Sequence, residues 1–250
     1  MEFIKAQDAL KHWQERILLA GKAIKSIAFQ QSCCPLCDLP TESTQVICRY
    51  CLTTVPMFDM KKLGGDLLNR PEIHKLYQGA HFSHLISVMP YQYPVKQWLG
   101  KYKYHRQLYY QYALSELLLT QLKNIKQLNF MVKPDVVIPV PSHIRKWRKR
   151  GFNQTIAFGE SVARFFNAPM RVDVVKRVKL SKDQVNQSGR ERRKQLKNAF
   201  QVCQGIDLSS QTIWLIDDVI TTGTTANEIS RQLRAAGAQS IILCTLAISV

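Results

Sequence analysis

The sequence predicts an α/β protein, a parallel sheet covered by helices, with a small metal-held module ahead of it. Short runs that are apolar throughout, Asp135–Val140, Thr212–Ile216 and Ser240–Leu246, alternate with stretches of helical period, the pattern of strands buried on both faces. The last fifty residues read strand, Thr/Gly turn, helix (Thr224–Ala236), Gly237 as helix stop, strand, which is a βαβ unit. Two Cys-x-x-C pairs near the N-terminus supply the third observation.

In chain order, Ala6–Ala28 has a helical stripe of Leu10, Trp13, Ile17 and Leu18. Ser32–Pro56 is rich in turns and cysteines and too poor in apolar residues to form its own core, which suits a small metal-held module. Lys61–Gly65 reads as a linker, and from His81 the apolar content rises. Helices are expected over Val95–Tyr102 and Gln107–Ile125, then the strand from Asp135. A basic loop leads to a helix over Asn153–Phe166 and a strand over Met170–Val175. Ser188 with Glu191 has the form of a capping box, so a helix should run from there to Ala199. The 250 residues suit one or two domains, here 1–80 for the N-terminal helix and metal module and 81–250 for the α/β domain.

Composition narrows the class of function. The longest uncharged run, Leu76–Val95, carries Gln78, His81, His84, Pro90, Gln92 and Pro94, and no membrane insertion is expected of it. Acidic residues at Glu2, Asp8 and Glu15 do not fit a secretory signal, so the expected location is cytoplasmic. There, seven cysteines speak for metal ligands and buried thiols rather than disulfides. The net charge of +17 is concentrated: segments 101–106, 145–150 and 176–197 hold 17 of the 35 basic residues, opposed only by Asp183 and Glu191. That bias points to a polyanionic partner, against the plainer reading of a solvated basic face.

The most informative stretch runs from Ile213 to Thr225. An apolar strand ends in Asp217 and Asp218, and a Thr221-Thr222-Gly223-Thr224-Thr225 turn then opens a helix. The free backbone N–H groups of a helix start, with hydroxyls around them, make an anion site. Carboxylates at the carboxyl end of a parallel strand lie where open α/β sheets bind ligands. A phosphate on the turn and a diol on the acids describe ribose 5-phosphate. Neither G-x-x-x-x-G-K-[ST] nor G-x-G-x-x-G occurs, which removes the main support for a P-loop motor and for a dinucleotide-dependent oxidoreductase.

Asp217–Thr225 resembles the signature by which type I phosphoribosyltransferases bind 5-phosphoribosyl-1-pyrophosphate. Together with Pro139-Val140-Pro141, the run Arg148-Lys149-Arg150-Gly151-Phe152-Asn153-Gln154 and Gln187-Ser188-Gly189-Arg190-Glu191-Arg192-Arg193, it resembles the ComF/GntX family, the competence protein F group, from Cys34 to the C-terminus. The resemblance implies a type I phosphoribosyltransferase-like parallel sheet with a zinc-ribbon-like module. It implies a role in natural transformation, with single-stranded DNA and other DNA-uptake proteins as partners. Carried over by position, Asp217 and Asp218 would hold the ribose hydroxyls and Thr221, Thr222, Gly223, Thr224 and Thr225 the 5-phosphate. The loop with Pro141 and Arg145 would face the pyrophosphate, with Mg2+ accompanying it. Lys179–Arg193 would close over the site, its Arg192 and Arg193 being the candidate catalytic donors to the leaving group. Two classes remain open: a DNA-uptake protein with a ligand-sensing phosphoribosyl site, or a transferase moving ribose 5-phosphate onto an unidentified nucleobase or nucleic-acid end. No acceptor-binding loop is recognisable in the sequence.

Cys34-Pro35-Leu36-Cys37 and Cys48-Arg49-Tyr50-Cys51 can place four thiolates on a tetrahedron, the arrangement of structural Zn2+, with a redox dithiol as the rival. Cys33 is a spectator or a substitute for Cys34, and Cys203 and Cys244 are expected in apolar strands. Lys101, Lys103 and Arg106 interleave with Tyr102, Tyr104, Tyr109 and Tyr110, and Arg148, Lys149 and Arg150 follow Trp147. Cations for phosphates beside rings for bases suit single-stranded nucleic acid. The equal alternative is that the tyrosines pack a helix. His81 and His84 would face one way only if helical.

Overall fold

The computed structural model describes residues 33–42, 45–127, 131–142, 147, 150–178 and 198–249. They divide into two compact units between Thr54 and Val55, whereas the sequence reading places the division after residue 80. Residues 55–80 go with the second unit because they are tied to its sheet. Phe58 N–H donates to Val88 O at 2.9 Å, and Asp66 Oδ1 accepts from Leu85 N–H at 3.0 Å. Gln121, buried, donates its amide to Phe58 O and Ser87 O at 2.9 and 3.2 Å.

The first unit contributes a short helix, α1 (Arg49–Thr54), behind the second cysteine pair. The second begins with α2 (Pro71–Leu76) and β1 (His84–Pro90). Helices α3 (Val95–His105) and α4 (Tyr109–Lys126) lead to β2 (Val136–Pro139) and α5 (Gln154–Phe166). A two-stranded antiparallel arm of β3 (Val175–Arg177) and β4 (Phe200–Val202) follows. The chain finishes with β5 (Thr212–Ile220), α6 (Thr224–Ala235) and β6 (Ser240–Ile248).

The main sheet has the order β1-β6-β5-β2, all parallel, as the continuous apolar runs demand. The strand expected over Met170–Val175 is replaced by two separate contacts. Met170 alone bridges to Val137, beyond the β2 edge, and pairing resumes at Val175 in the arm. Between them Arg171 and Asp173 pair with each other at 2.7 Å in solvent, and charged side chains of that kind do not enter a buried sheet. The helix expected over Ala6–Ala28 lies outside the described residues, as does that over Ser188–Ala199 except for Asn198 and Ala199, which are not helical.

This order sets where a ligand can bind. From β2 the chain passes through α5 to the outer edge at Met170, whereas from β5 it passes through α6 inward to β6. Right-handed crossovers in opposite directions put the two helices on opposite faces and leave a crevice between the carboxyl ends of β2 and β5. The core beneath holds Trp98, Trp214, Tyr102 and Phe158, all at most 1% exposed. Gly159 lets α5 approach β2 closely: a Cβ there would lie 3.0 Å from the Met170 sulfur. Among the described residues no helix is long and apolar enough to cross a membrane.

Candidate functional site

One wall of the crevice is the end of β5. Ile213, Leu215 and Ile216 are fully buried, and the strand carries its apolar face up to two carboxylates, Asp217 and Asp218. Successive strand residues face opposite ways, so the two acids diverge. Asp218, 6% exposed, turns toward α3 and α5. Its Oδ2 accepts from Lys103 Nζ at 2.7 Å and from Gln154 Nε2 at 2.6 Å. Gln154 in turn accepts from Arg150 at 3.0 Å, and the Arg150 guanidinium lies over the Tyr104 ring, 5.1 Å from its centroid. A row of Tyr104, Arg150, Gln154, Asp218 and Lys103 thus laces α3, α5 and β5 together.

This network splits the acids electrostatically. Burial pushes the Asp218 carboxyl up, but the Lys103 charge and hydrogen bond, the Gln154 amide and the Arg150 charge outweigh it and hold the group below the ordinary carboxylate range. Asp217 accepts at its Oδ1 from the Asp218 N–H at 2.8 Å, which lowers its carboxyl less than burial raises it. Burial, with the Asp218 charge next door, pushes it up to about 7. One acid is a fixed anion and the other titrates near neutrality.

Beyond the strand the turn is Thr221-Thr222-Gly223. Gly223 caps α6 with φ 68°, a conformation that favours glycine. Asn227 N–H reaches Gly223 O at 2.8 Å as the helix begins; the N–H groups of the first turn ahead of it have no carbonyl a turn back. Thr221 and Thr222 are exposed, Thr224 and Thr225 half-buried, and the hydroxyls of Thr222 and Thr224 lie 2.9 Å apart. Tyr77, 7% exposed, lies against the turn and donates its hydroxyl to Thr221 O at 2.7 Å. A Cβ on Gly223 would meet that ring at 2.7 Å. Gly223→Ala is therefore expected to cost about 3 kcal/mol, from the left-handed backbone and the overlap together. In urea melts, adding Tyr77→Ala should restore the part due to overlap.

The opposite wall is the loop after β2. Val140 O accepts from Asn153 Nδ2 at 3.1 Å and Thr155 Oγ1 at 2.8 Å, and the Asn153 side chain caps α5 by accepting from Thr155 N–H at 3.4 Å. Pro141 is half-buried where the loop leaves the strand. Arg145, Arg148, Lys149, Arg192 and Arg193 lie outside the described residues.

The cations expected to face nucleic acid are divided. Lys103 differs from that expectation: its side chain is 12% exposed and its ammonium is engaged by Asp218, so it joins the crevice network. Arg150 also points into the network. Lys101 keeps its place outside, half-buried, donating to Tyr110 Oη at 2.9 Å. Arg106, exposed, ends α3 in a left-handed conformation. The tyrosines divide too. Tyr102 is 1% exposed and packs on Phe152 and Phe158, whereas Tyr104 is 65% exposed. His81 precedes β1 and His84 starts it, so the helical spacing that would pair them is absent.

In the first unit the sulfurs of Cys34, Cys37, Cys48 and Cys51 all lie within 4.8 Å of one another, and those of Cys37 and Cys48 are 3.7 Å apart. A tetrahedron with metal–sulfur bonds of about 2.3 Å has edges of about 3.8 Å, so the set could hold a metal ion. Burial raises the Cys34 thiol, yet the backbone N–H groups of Cys48, Leu36 and Cys37 directed at it bring it down to about 7, whereas burial and the neighbouring thiols push Cys51 up, so one thiolate is favoured ahead of the others. Cys33 is exposed and outside the cluster. Cys244 is buried in β6 as expected, whereas Cys203 is half-buried just past the end of β4.

Tyr77, Gln154 and Lys103 are the residues of the crevice that sequence reasoning misses or misplaces. Gln154 closes the Arg148–Gln154 run, where nothing in the sequence marks Asp218 as its partner.

The phosphoribosyl transferase domain family matches residues 153–248, from the start of α5 to the end of β6. Competence protein F of Haemophilus influenzae is 33% identical over 202 residues, 80% of this chain and 83% of that protein. DNA utilization protein YhgH of Escherichia coli O157:H7 is 26% identical over 233 residues, 93% of this chain and 89% of that protein. The adenine phosphoribosyltransferase of Leishmania tarentolae aligns with 65% of this chain and 91% of its own length at 13% identity, with a TM-score of 0.37, a likeness too weak to bear on function. With a relative one-third identical across four-fifths of its length, this chain belongs to the competence protein F family.

Proposed function

We propose that this protein serves natural competence, handling internalised single-stranded DNA in the cytoplasm, and that its crevice binds 5-phosphoribosyl-1-pyrophosphate with Mg2+. The observation that carries the second part is the convergence at one switch-point crevice of a carboxylate pair, a Thr/Gly turn and a helix N-terminus. The phosphate sits on the turn, where N–H dipoles and hydroxyls meet it. The ribose hydroxyls donate to the acids. Pyrophosphate extends toward the loop after Pro141, with Arg145 as its cation and Arg192 and Arg193 reaching it from the segment expected to close over the site. Competence and DNA utilization, the roles in the relatives' names, support the first part, as does the net charge of +17. Other DNA-uptake proteins are the expected partners.

Titration calorimetry with 5-phosphoribosyl-1-pyrophosphate and Mg2+ tests the crevice: saturable one-to-one binding is expected. No heat above dilution would reject the reading.

The four-cysteine cluster is assigned to structural Zn2+. Four thiolates complete a tetrahedron and leave no position for a reacting water. Chelation is expected to release one zinc per chain, detected with a colorimetric indicator, and to unfold the first unit while the melting of the sheet remains. A preparation free of metal that melts identically in both units would contradict it.

A further inference from the structure

Helix α3 has two sides, and only one is accounted for by the protein. Val95, Trp98, Leu99 and Tyr102 are buried, and Lys103 and Tyr104 serve the crevice network. Away from the buried stripe, the helix lines an open groove of about 520 Å3, formed by Tyr93, Lys96, Gln97, Gly100, Lys101 and His105. That volume is within the roughly 300–1,000 Å3 of ordinary ligand pockets.

Charge and chemistry select the occupant. Between Glu72 and Glu116 the sequence contains no acidic residue, so the segment that lines the groove carries cations and no acid of its own. The Tyr93 ring is 58% exposed at its rim. Lys96, Gln97 and His105 are exposed and make no side-chain hydrogen bond or ion pair among the described residues. Gly100 is a separate clue. Glycine in a helix interior is unfavourable relative to alanine, and packing does not require it here, since a Cβ at that position would meet nothing within 4 Å. A bare backbone on an open groove floor is what a close-lying flat ring needs.

We propose that this groove is a nucleotide-stacking site for single-stranded DNA, with a base laid on Tyr93 over Gly100, its edge read by Gln97, and the flanking phosphates held by Lys96, Lys101 and His105. The site rests on the competence reading above and names where the strand lies. None of the residues that line it is among those placed in the phosphoribosyl crevice, whose Lys103 and Tyr104 lie one turn further along the same helix.

The test is fluorescence anisotropy of the full chain with a labelled oligothymidylate at several salt concentrations. Tyr93→Ala is expected to weaken binding about tenfold through lost stacking. Lys96→Gln with Lys101→Gln should reduce the salt slope by about 1.4, two single-strand phosphate contacts. Gly100→Leu should fill the groove and weaken binding at least tenfold while raising the melting temperature, which separates occlusion from misfolding. Calorimetric binding of phosphoribosyl pyrophosphate should be unchanged in all of them. Oligonucleotide binding within twofold of the parent in both Tyr93→Ala and Gly100→Leu would overturn the groove and leave the competence reading standing. No oligonucleotide binding by the parent protein would overturn both. Displacement by polyglutamate as effective as by unlabelled oligonucleotide would also overturn it, in favour of an acidic protein partner.

Discussion

Lys103→Met is expected to destabilise the protein by about 3 kcal/mol at neutral pH, because it leaves the buried Asp218 carboxylate without its counter-ion. Both side chains are about nine-tenths buried, so solvent screening does little to soften the loss. The sign with pH follows from the Asp218 carboxyl being held below its unfolded value. The stabilisation it provides is present above that value, near pH 4, and is lost as pH falls through the folded one. The gap between parent and variant should therefore be widest at neutral pH and narrow in acid. Lys103→Met with Asp218→Asn removes both charges and should recover most of the deficit. Urea unfolding at two pH values reads all three proteins, and a single variant as stable as the parent at neutral pH would refute the ion pair.

Replacing both acids, Asp217→Asn with Asp218→Asn, is expected to abolish phosphoribosyl pyrophosphate binding, a loss of at least a hundredfold by calorimetry. Each ribose hydroxyl would then face an amide in place of an anionic acceptor, and charge-assisted bonds are the strong ones. Asp217 alone should set a pH dependence. Burial and the Asp218 charge raise its carboxyl to about 7, and the ionised form is the stronger acceptor for a ribose hydroxyl. Affinity should rise about tenfold between pH 6 and 8, as the ionised fraction does, and the Asp217→Asn variant should lose that part of the profile. Stability runs the other way. The folded carboxyl keeps its proton up to about pH 7 while the unfolded chain releases it near 4, so this group disfavours folding increasingly as pH rises through that window.

Much of the site was legible because its signals are local. The strand ending in two acids, the Thr/Gly turn and the first two residues of the helix behind it are thirteen consecutive residues, and their order alone places an anion site at a carboxyl edge. The cysteine pairs are equally local, their spacing fixed by metal geometry. The interactions that tune the crevice are not local. Lys103 stands in a run of cations and reads as solvent-exposed, and only the fold brings it to Asp218, more than a hundred positions away. Tyr77 reaches the turn across 144 residues, and nothing around it marks a loop-capping ring. Strand β1 was hidden because Pro90 and Pro94 break the apolar run that contains it, while its pairing partner, β6, comes from the far end of the chain. The attachment of residues 55–80 to the sheet is non-local in the same way: nothing in the sequence around Phe58 and Asp66 marks their bonds to β1.

The central claim is that a phosphorylated sugar docks between the ends of β2 and β5. Diffraction from crystals grown with 5-phosphoribosyl-1-pyrophosphate and Mg2+ tests it most directly. The account predicts the 5-phosphate within hydrogen-bonding distance of the Thr221–Thr225 backbone and the ribose hydroxyls on Asp217 and Asp218. Density for the compound elsewhere, with Tyr77 and the turn unoccupied at ligand concentrations that saturate binding in solution, would contradict it.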